Sequence, residues 1–105
     1  MDEVLIMLRE MKLPFAYDHF AEGESPEPPF ICYLIPGSNN FAADGRVYFK
    51  INEYHIELYT NAKTPALENG VEAVLDEHGL FYNKTETWIE SEKLYEVLYT
   101  FEMEV

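Results

Sequence analysis

His55 and Glu57 stand two apart in the run Tyr54–Thr60, so on an extended strand they share a face and present an imidazole and a carboxylate to a common ion. Zinc asks for more than this: four ligands in a structural site, and three plus an open position in a catalytic one. His19 and His78 have no neighbouring ligand in the sequence, and Cys32 is the only cysteine. The pair therefore reads as ordinary solvent-facing strand residues, and no metal or other cofactor is expected. Cys32 lies inside the apolar run Phe30–Ile35, where a thiol behaves as a small hydrophobe and burial raises its pKa. It also rules out an internal disulfide, and with it a secreted, stapled scaffold.

Acid–base catalysis has many nominal candidates, such as Glu22 with Glu24 or Glu102 with Glu104. A catalytic carboxylate needs an apolar pocket to lift its pKa, and nothing in the pattern separates these pairs from a solvated face. No Gly-x-Ser-x-Gly elbow and no phosphate-cradling glycine loop occurs. The tyrosines Tyr48, Tyr54, Tyr59, Tyr82, Tyr95 and Tyr99 would suit base stacking only beside a cationic groove. With 7 Lys and Arg against 20 Asp and Glu, a net charge of −13, core and interface packing is the better use of these rings. The sequence points away from an enzyme, and away from anionic partners such as nucleic acid or a membrane surface.

The elements that position these residues read as one domain over 1–105. Asp2 caps a helix over 2–12 whose stripe is Val4, Leu5, Leu8 and Met11, with Pro14 as its stop. Phe15–Phe20 is a short strand with Phe15, Tyr17 and His19 on one face. Residues 21–29 hold three prolines and three acids, a loop that cannot pair regularly. Phe30–Ile35 reads as a central strand that Pro36-Gly37 terminates, and residues 37–45 as a second loop containing the turn signal Asp44-Gly45. Phe41 is apolar in that loop and serves either its own core or a partner.

Over Arg46–Thr60 the apolar positions switch from odd (Val47, Phe49, Ile51) to even (Tyr54, Ile56, Leu58). A strand changes parity only through an extra residue, so a bulge or tight turn is expected near Asn52-Glu53. Thr64 and Pro65 open a helix over 65–78 with the stripe Leu67, Val71, Val74, Leu75 and His78, and Gly79 stops it. Leu80–Glu90 and Lys93–Val105 form a closing hairpin turning at Ser91-Glu92. The sum is an α+β domain: an antiparallel or mixed sheet of about four to five strands with two helices on one face. The acidic opening Met1-Asp2-Glu3 and the lack of a roughly 20-residue apolar run give the expectation of a cytosolic protein.

Residues 33–75, YLIPGSNNFAADGRVYFKINEYHIELYTNAKTPALENGVEAVL, and 82–105, YNKTETWIESEKLYEVLYTFEMEV, resemble small neck proteins of tailed phages and prophages of Gram-positive bacteria, the tail completion or tail terminator family. The pieces that carry the resemblance are YHIELYT at 54–60, the Thr64–Leu75 helix and SEKLYEVLYTFEMEV at 91–105. It implies a structural virion protein that forms a ring, typically a hexamer, at the head-proximal end of the tail tube. Its partners would be further copies of itself, the tail tube protein and the head–tail connector protein, with no membrane. DNA would pass the ring without specific binding, so part of the acidic surface would line a lumen. The protein would assemble in the host cytoplasm and reside in the virion neck. Ring contacts are expected from the long loops and the sheet: Asn39, Asn40, Phe41 and Asp44 in one loop, Glu22 and Glu24 in the other, and Glu96, Glu102 and Glu104 on the last strand. A second reading is an acidic inhibitor or DNA mimic of a mobile element, against which the interspersed Lys12, Lys50, Lys63, Lys84 and Lys93 argue mildly.

Overall fold

A computed structural model describes residues 2–105, the side chain of Tyr48 excepted. The elements follow in the order α1 (Glu3–Glu10), β1 (Phe15–Tyr17), β2 (Phe30–Ser38), β3 (Phe41–Ala43), β4 (Arg46–Phe49), β5 (Ile51–Thr60), α2 (Pro65–Glu77), β6 (Tyr82–Ile89) and β7 (Leu94–Glu104). The fold is α+β. A five-stranded sheet runs β1-β2-β5-β7-β6, and β3-β4 is a separate two-stranded sheet. All pairings are antiparallel except β1 with β2, which is parallel, so the main sheet is mixed.

Both helices lie on one face. Val4, Met7, Leu8 and Met11 from α1 and its C-cap join Val71, Val74 and Leu75 from α2 in one cluster with Ile31, Tyr54, Ile56, Leu58, Val97, Tyr99, Phe101 and Met103. Ten of these side chains, among them Leu8, Ile56, Leu58, Leu75 and Tyr99, are essentially inaccessible. Truncating one of the buried leucines to alanine removes apolar burial and leaves a cavity, which costs ~2–5 kcal/mol.

Local chemistry explains the boundaries. Asp2 Oδ1 accepts from Val4 N at 3.2 Å, capping α1. The helix ends at Glu10, ahead of Pro14, because Lys12 turns left-handed at φ 60°. Thr64 occupies the N-cap position of α2 without capping it. Its hydroxyl donates to the Ala62 carbonyl at 2.8 Å, and Pro65 opens the helix. Gly79 takes φ 71°, the left-handed stop expected of it.

Four expectations need correction. The strand predicted over 15–20 stops at Tyr17, because Asp18 adopts φ 64°. Pro36-Gly37 does not terminate β2, which runs on to Ser38. The register slips between Leu34 and Gly37, so the proline, which has no N–H, sits where no ladder bond is required. The Tyr17 hydroxyl accepts from Ile35 N at 3.2 Å across this irregularity. β2 is an interior strand, paired with β1 on one side and β5 on the other, and β5 is the middle strand of the five. The second loop contains a strand, since 41–43 pair with 46–49 around Asp44-Gly45, both at positive φ, as a tight hairpin turn requires. The parity change falls at Lys50 rather than at Asn52-Glu53, because β4 and β5 belong to different sheets.

Candidate functional site: a bare acidic sheet face and a hairpin standing off it

Helices cover one face of the main sheet only. The register Tyr54↔Phe101, Ile56↔Tyr99 and Leu58↔Val97 sends even β5 residues and odd β7 residues into the core. It therefore sends Glu53, His55, Glu57 and Tyr59, with Glu96, Leu98, Thr100, Glu102 and Glu104, to the opposite face. Asn83, Thr85 and Thr87 extend this face onto β6, where all three are exposed. At the β2 corner the loop between β1 and β2 closes over it. The Phe20 ring meets Phe30 at 5.4 Å, and Cys32 is buried. Burial, followed by the charges of Glu57 and Asp18, pushes the Cys32 thiol up to about 11.

The acids on the bare face are crowded. Glu53 lies directly opposite Glu102 in the β5–β7 register, a like-charge cross-strand pair that weakens the pairing of the two strands. At the other end of the face the Tyr59 hydroxyl lies 3.1 Å from Glu57 Oε1 and 3.0 Å from Glu96 Oε2. A phenol carries one proton, so it satisfies one carboxylate at a time. Burial pushes Glu57 above the ordinary carboxylate range; the Glu96 charge adds to this and the Tyr59 hydrogen bond opposes it. The described β-strand residues of this face include no Lys or Arg.

At the Glu53–Glu102 end the face is hollowed into a groove of about 560 Å³. Glu53, His55, Asn83, Thr100 and Glu102 line it, and the linker residues Leu80 and Phe81 wall it. The Phe81 ring is 86% exposed, the most exposed large apolar side chain among the described residues.

From the same end of the sheet rises the β3–β4 hairpin. Its neck is tied by Asn39 N to the Ile51 carbonyl (2.9 Å), by Ile51 N to Asn40 Oδ1 (3.0 Å) and by Val105 N to the Lys50 carbonyl (2.7 Å). Beyond the neck its strands pair only with each other. The radius of gyration, 14.9 Å, exceeds the roughly 13 Å of a compact chain this long, and the molecule extends over 49 × 29 × 26 Å. Phe41, Val47 and Phe49 are exposed, and the Phe41 and Phe49 rings lie 6.1 Å apart.

The residues singled out in the sequence divide as follows. Asn39 and Asn40 hold the hairpin neck, Phe41 sits on the hairpin and Asp44 is in its turn. Glu96, Glu102 and Glu104 share the bare face, at its two ends. Glu22 and Glu24 lie apart from both, exposed in the β1–β2 loop. His55 and Glu57 do share that face. Among the described residues, no group of three or more His, Cys, Asp or Glu is placed to hold a metal ion, and no helix is long and apolar enough to cross a membrane. Of the tyrosines, Tyr54, Tyr82, Tyr95 and Tyr99 face the helices and Tyr59 the bare side; the side chain of Tyr48 lies outside the described residues.

Sequence reasoning missed a polar network on the helix side. Glu68 of α2, 4% exposed, pairs with Lys63 at 2.7 Å and with Lys84 at 2.8 Å. Glu72 pairs with Lys84 at 2.7 Å and accepts from the Tyr99 hydroxyl at 2.7 Å. The signal was available: Glu68 falls three residues before Val71 and seven before Leu75, on the buried stripe, and Lys84 has the inward parity of Tyr82.

No family model matches the sequence and no curated protein does. A chain from the virion of a native gene transfer agent particle does match in structure, with a TM-score of 0.62 over 99% of this chain and 85% of that one, at 13% identity. The fold is one found in a virion. At that identity the likeness is one of fold.

Proposed function

We propose that this protein is a structural component of a tailed-phage or prophage virion, a tail terminator or completion protein forming a ring at the head-proximal end of the tail tube. The observation that carries the reading is the whole-length fold likeness to a gene transfer agent virion chain. A bare sheet face at one side and an apolar hairpin at one end also suit a subunit that meets different neighbours on different surfaces, as head-to-tail ring contacts require. Copies of itself, the tube protein and the head connector are the partners in this reading. DNA passes through the ring, and acids exposed to the lumen repel phosphates within a Debye length of roughly 8 Å.

Electron microscopy of particles from an inducible prophage lacking the gene tests this. Filled heads without tails, beside free or over-long tails, with rescue in trans, are expected. Normal infectious virions would remove the reading. They would bring forward the acidic inhibitor or DNA mimic, for which the carboxylates of the bare face, with no cation among them, are the favouring observation. Salt-sensitive binding of the purified protein to a basic nucleic-acid enzyme would then be the next measurement.

A further inference from the structure

Two surfaces of this chain complement each other. The hairpin and its flank, residues 41–50, carry Arg46 and Lys50 against the single acid Asp44, in a chain of net charge −13. Among the described residues neither base enters an ion pair. Phe41, Val47 and Phe49 add exposed apolar area, 56%, 52% and 42% accessible. A two-stranded hairpin alone is marginal in water and gains stability from packing. The bare face offers the converse: Glu53 opposite Glu102, Glu104 beyond them, and a groove walled by Leu80 and Phe81.

We infer that the β3–β4 hairpin of one copy docks in the Glu53–Glu102 groove of the next copy, its phenylalanines against Leu80 and Phe81 and its Arg46 and Lys50 against the opposed glutamates. The occupant is a second copy of this chain because charge sign and apolar character both match. The docking relieves the like-charge opposition of Glu53 and Glu102 by bringing cations from outside. It also makes the contact heterologous: each copy gives a hairpin and receives one, which closes into a ring when the rotation closes. This deepens the ring reading above and rests on it for its setting in a particle, though not for the contact itself.

The test uses the purified chain and, separately, the particle. Val47→Cys and Thr100→Cys variants, mixed under mild oxidation over rising concentration, are expected to give a 47–100 cross-linked dimer in preference to either like pair. Cys32 is buried and stays out of the reaction. R46E/K50E on the hairpin, or E53K/E102K on the face, is expected to lower cross-linking at least roughly tenfold, as repulsive charges do across an interface. Mixing the two charge variants, or combining all four changes in one chain, is expected to restore it. Circular dichroism establishes that each variant is folded. If the chain resides in particles but 47–100 cross-links form neither there nor in solution, the docking is overturned while the virion reading stands. If cross-links form and charge reversal leaves them unchanged, the pairing of these charges is overturned. If the pair forms in solution and gene deletion leaves virions normal, the docking stands and the virion reading falls.

Discussion

Glu68 on α2 and Lys84 on β6 meet at 2.8 Å, with the Glu68 side chain 5% exposed, so a largely buried ion pair joins the second helix to the sheet edge beside the apolar core. Burial pushes the Glu68 carboxyl up, but the hydrogen bonds from Lys63 and Lys84 outweigh it and hold the group below the ordinary carboxylate value. Lys84 is pushed up to about 12 by its bonds to Glu68 and Glu72. Lys84→Ala leaves Glu68 with Lys63 and is expected to cost ~1–2 kcal/mol, whereas removing both lysines strands a buried charge and costs ~3–5 kcal/mol. Glu68→Leu is expected to be near neutral at pH 7, since an apolar replacement escapes the desolvation penalty. A lowered carboxylate pKa stabilises above its unfolded value near 4.5 and loses that contribution as pH falls through the folded one. Urea midpoints at pH 7 and pH 4 should therefore show Glu68→Leu losing less stability on acidification than the natural chain.

His78, at the C-cap of α2, sits between two carboxylates of α1, with Nε2 2.6 Å from Glu10 Oε1 and Nδ1 3.2 Å from Glu3 Oε2. Only the imidazolium donates from both nitrogens. The Glu10 hydrogen bond, then that of Glu3, raises its pKa above 6.5 against the opposing effect of burial. A raised histidine pKa stabilises fully below the unfolded value and loses that stability as pH rises through the folded value. Thermal melts of the natural chain should therefore fall in midpoint as pH rises above about 6.5. His78→Gln should flatten that decline; an unchanged slope would show that the helix–helix clamp contributes nothing.

Legibility in the sequence followed the range of the interactions concerned. The α2 boundaries were readable because Pro65 and Gly79 act on their own backbone. The inward set Tyr54, Ile56, Leu58 on β5 and Val97, Tyr99, Phe101 on β7 was readable because a two-residue period needs no partner to be recognised. The parallel pairing of β1 with β2 was not, since three residues carry no mark of strand direction. β3 was missed because Phe41-Ala42-Ala43 is too short for a pattern, and only the Asp44-Gly45 turn announced it. For the candidate site, Glu102, Glu104 and Phe41 were picked by alternation and apolarity, but Glu53 and Phe81 were not. Their place there comes from a cross-strand neighbour and from an uncovered groove, both tertiary facts.

Cys32 supplies a probe of the corner where the β1–β2 loop closes on the sheet. With its pKa pushed up to about 11 by burial, far less of it is thiolate at pH 8 than of a free cysteine. Labelling by a disulfide reagent should therefore be slow in the native state and fast in urea. Phe20→Ala, which removes the ring lying 5.4 Å from Phe30, should speed native labelling without a matching loss of global stability. Equal acceleration by a remote destabilising change such as Leu8→Ala would mean that the thiol reacts only through global unfolding.

Glu57 places a cost on the folded chain at neutral pH. Its pKa is raised by burial and by the Glu96 charge, so the folded state holds the proton more tightly than the unfolded chain does. The sign follows: no penalty below the unfolded value near 4.5, then a loss of stability that grows as pH climbs from there and is complete above the raised folded value. Glu57→Gln removes the charge and keeps an oxygen to accept from the Tyr59 hydroxyl, now 3.1 Å from Oε1. The variant is expected to melt higher than the natural chain at pH 7 and to match it near pH 4. Glu96→Gln should produce part of the same gain, because it removes the neighbouring charge while leaving the burial of Glu57 in place. A non-additive double variant would show that the two carboxylates act as one unit around a single phenolic proton. Additive gains would mean that burial alone, acting on each separately, sets the cost.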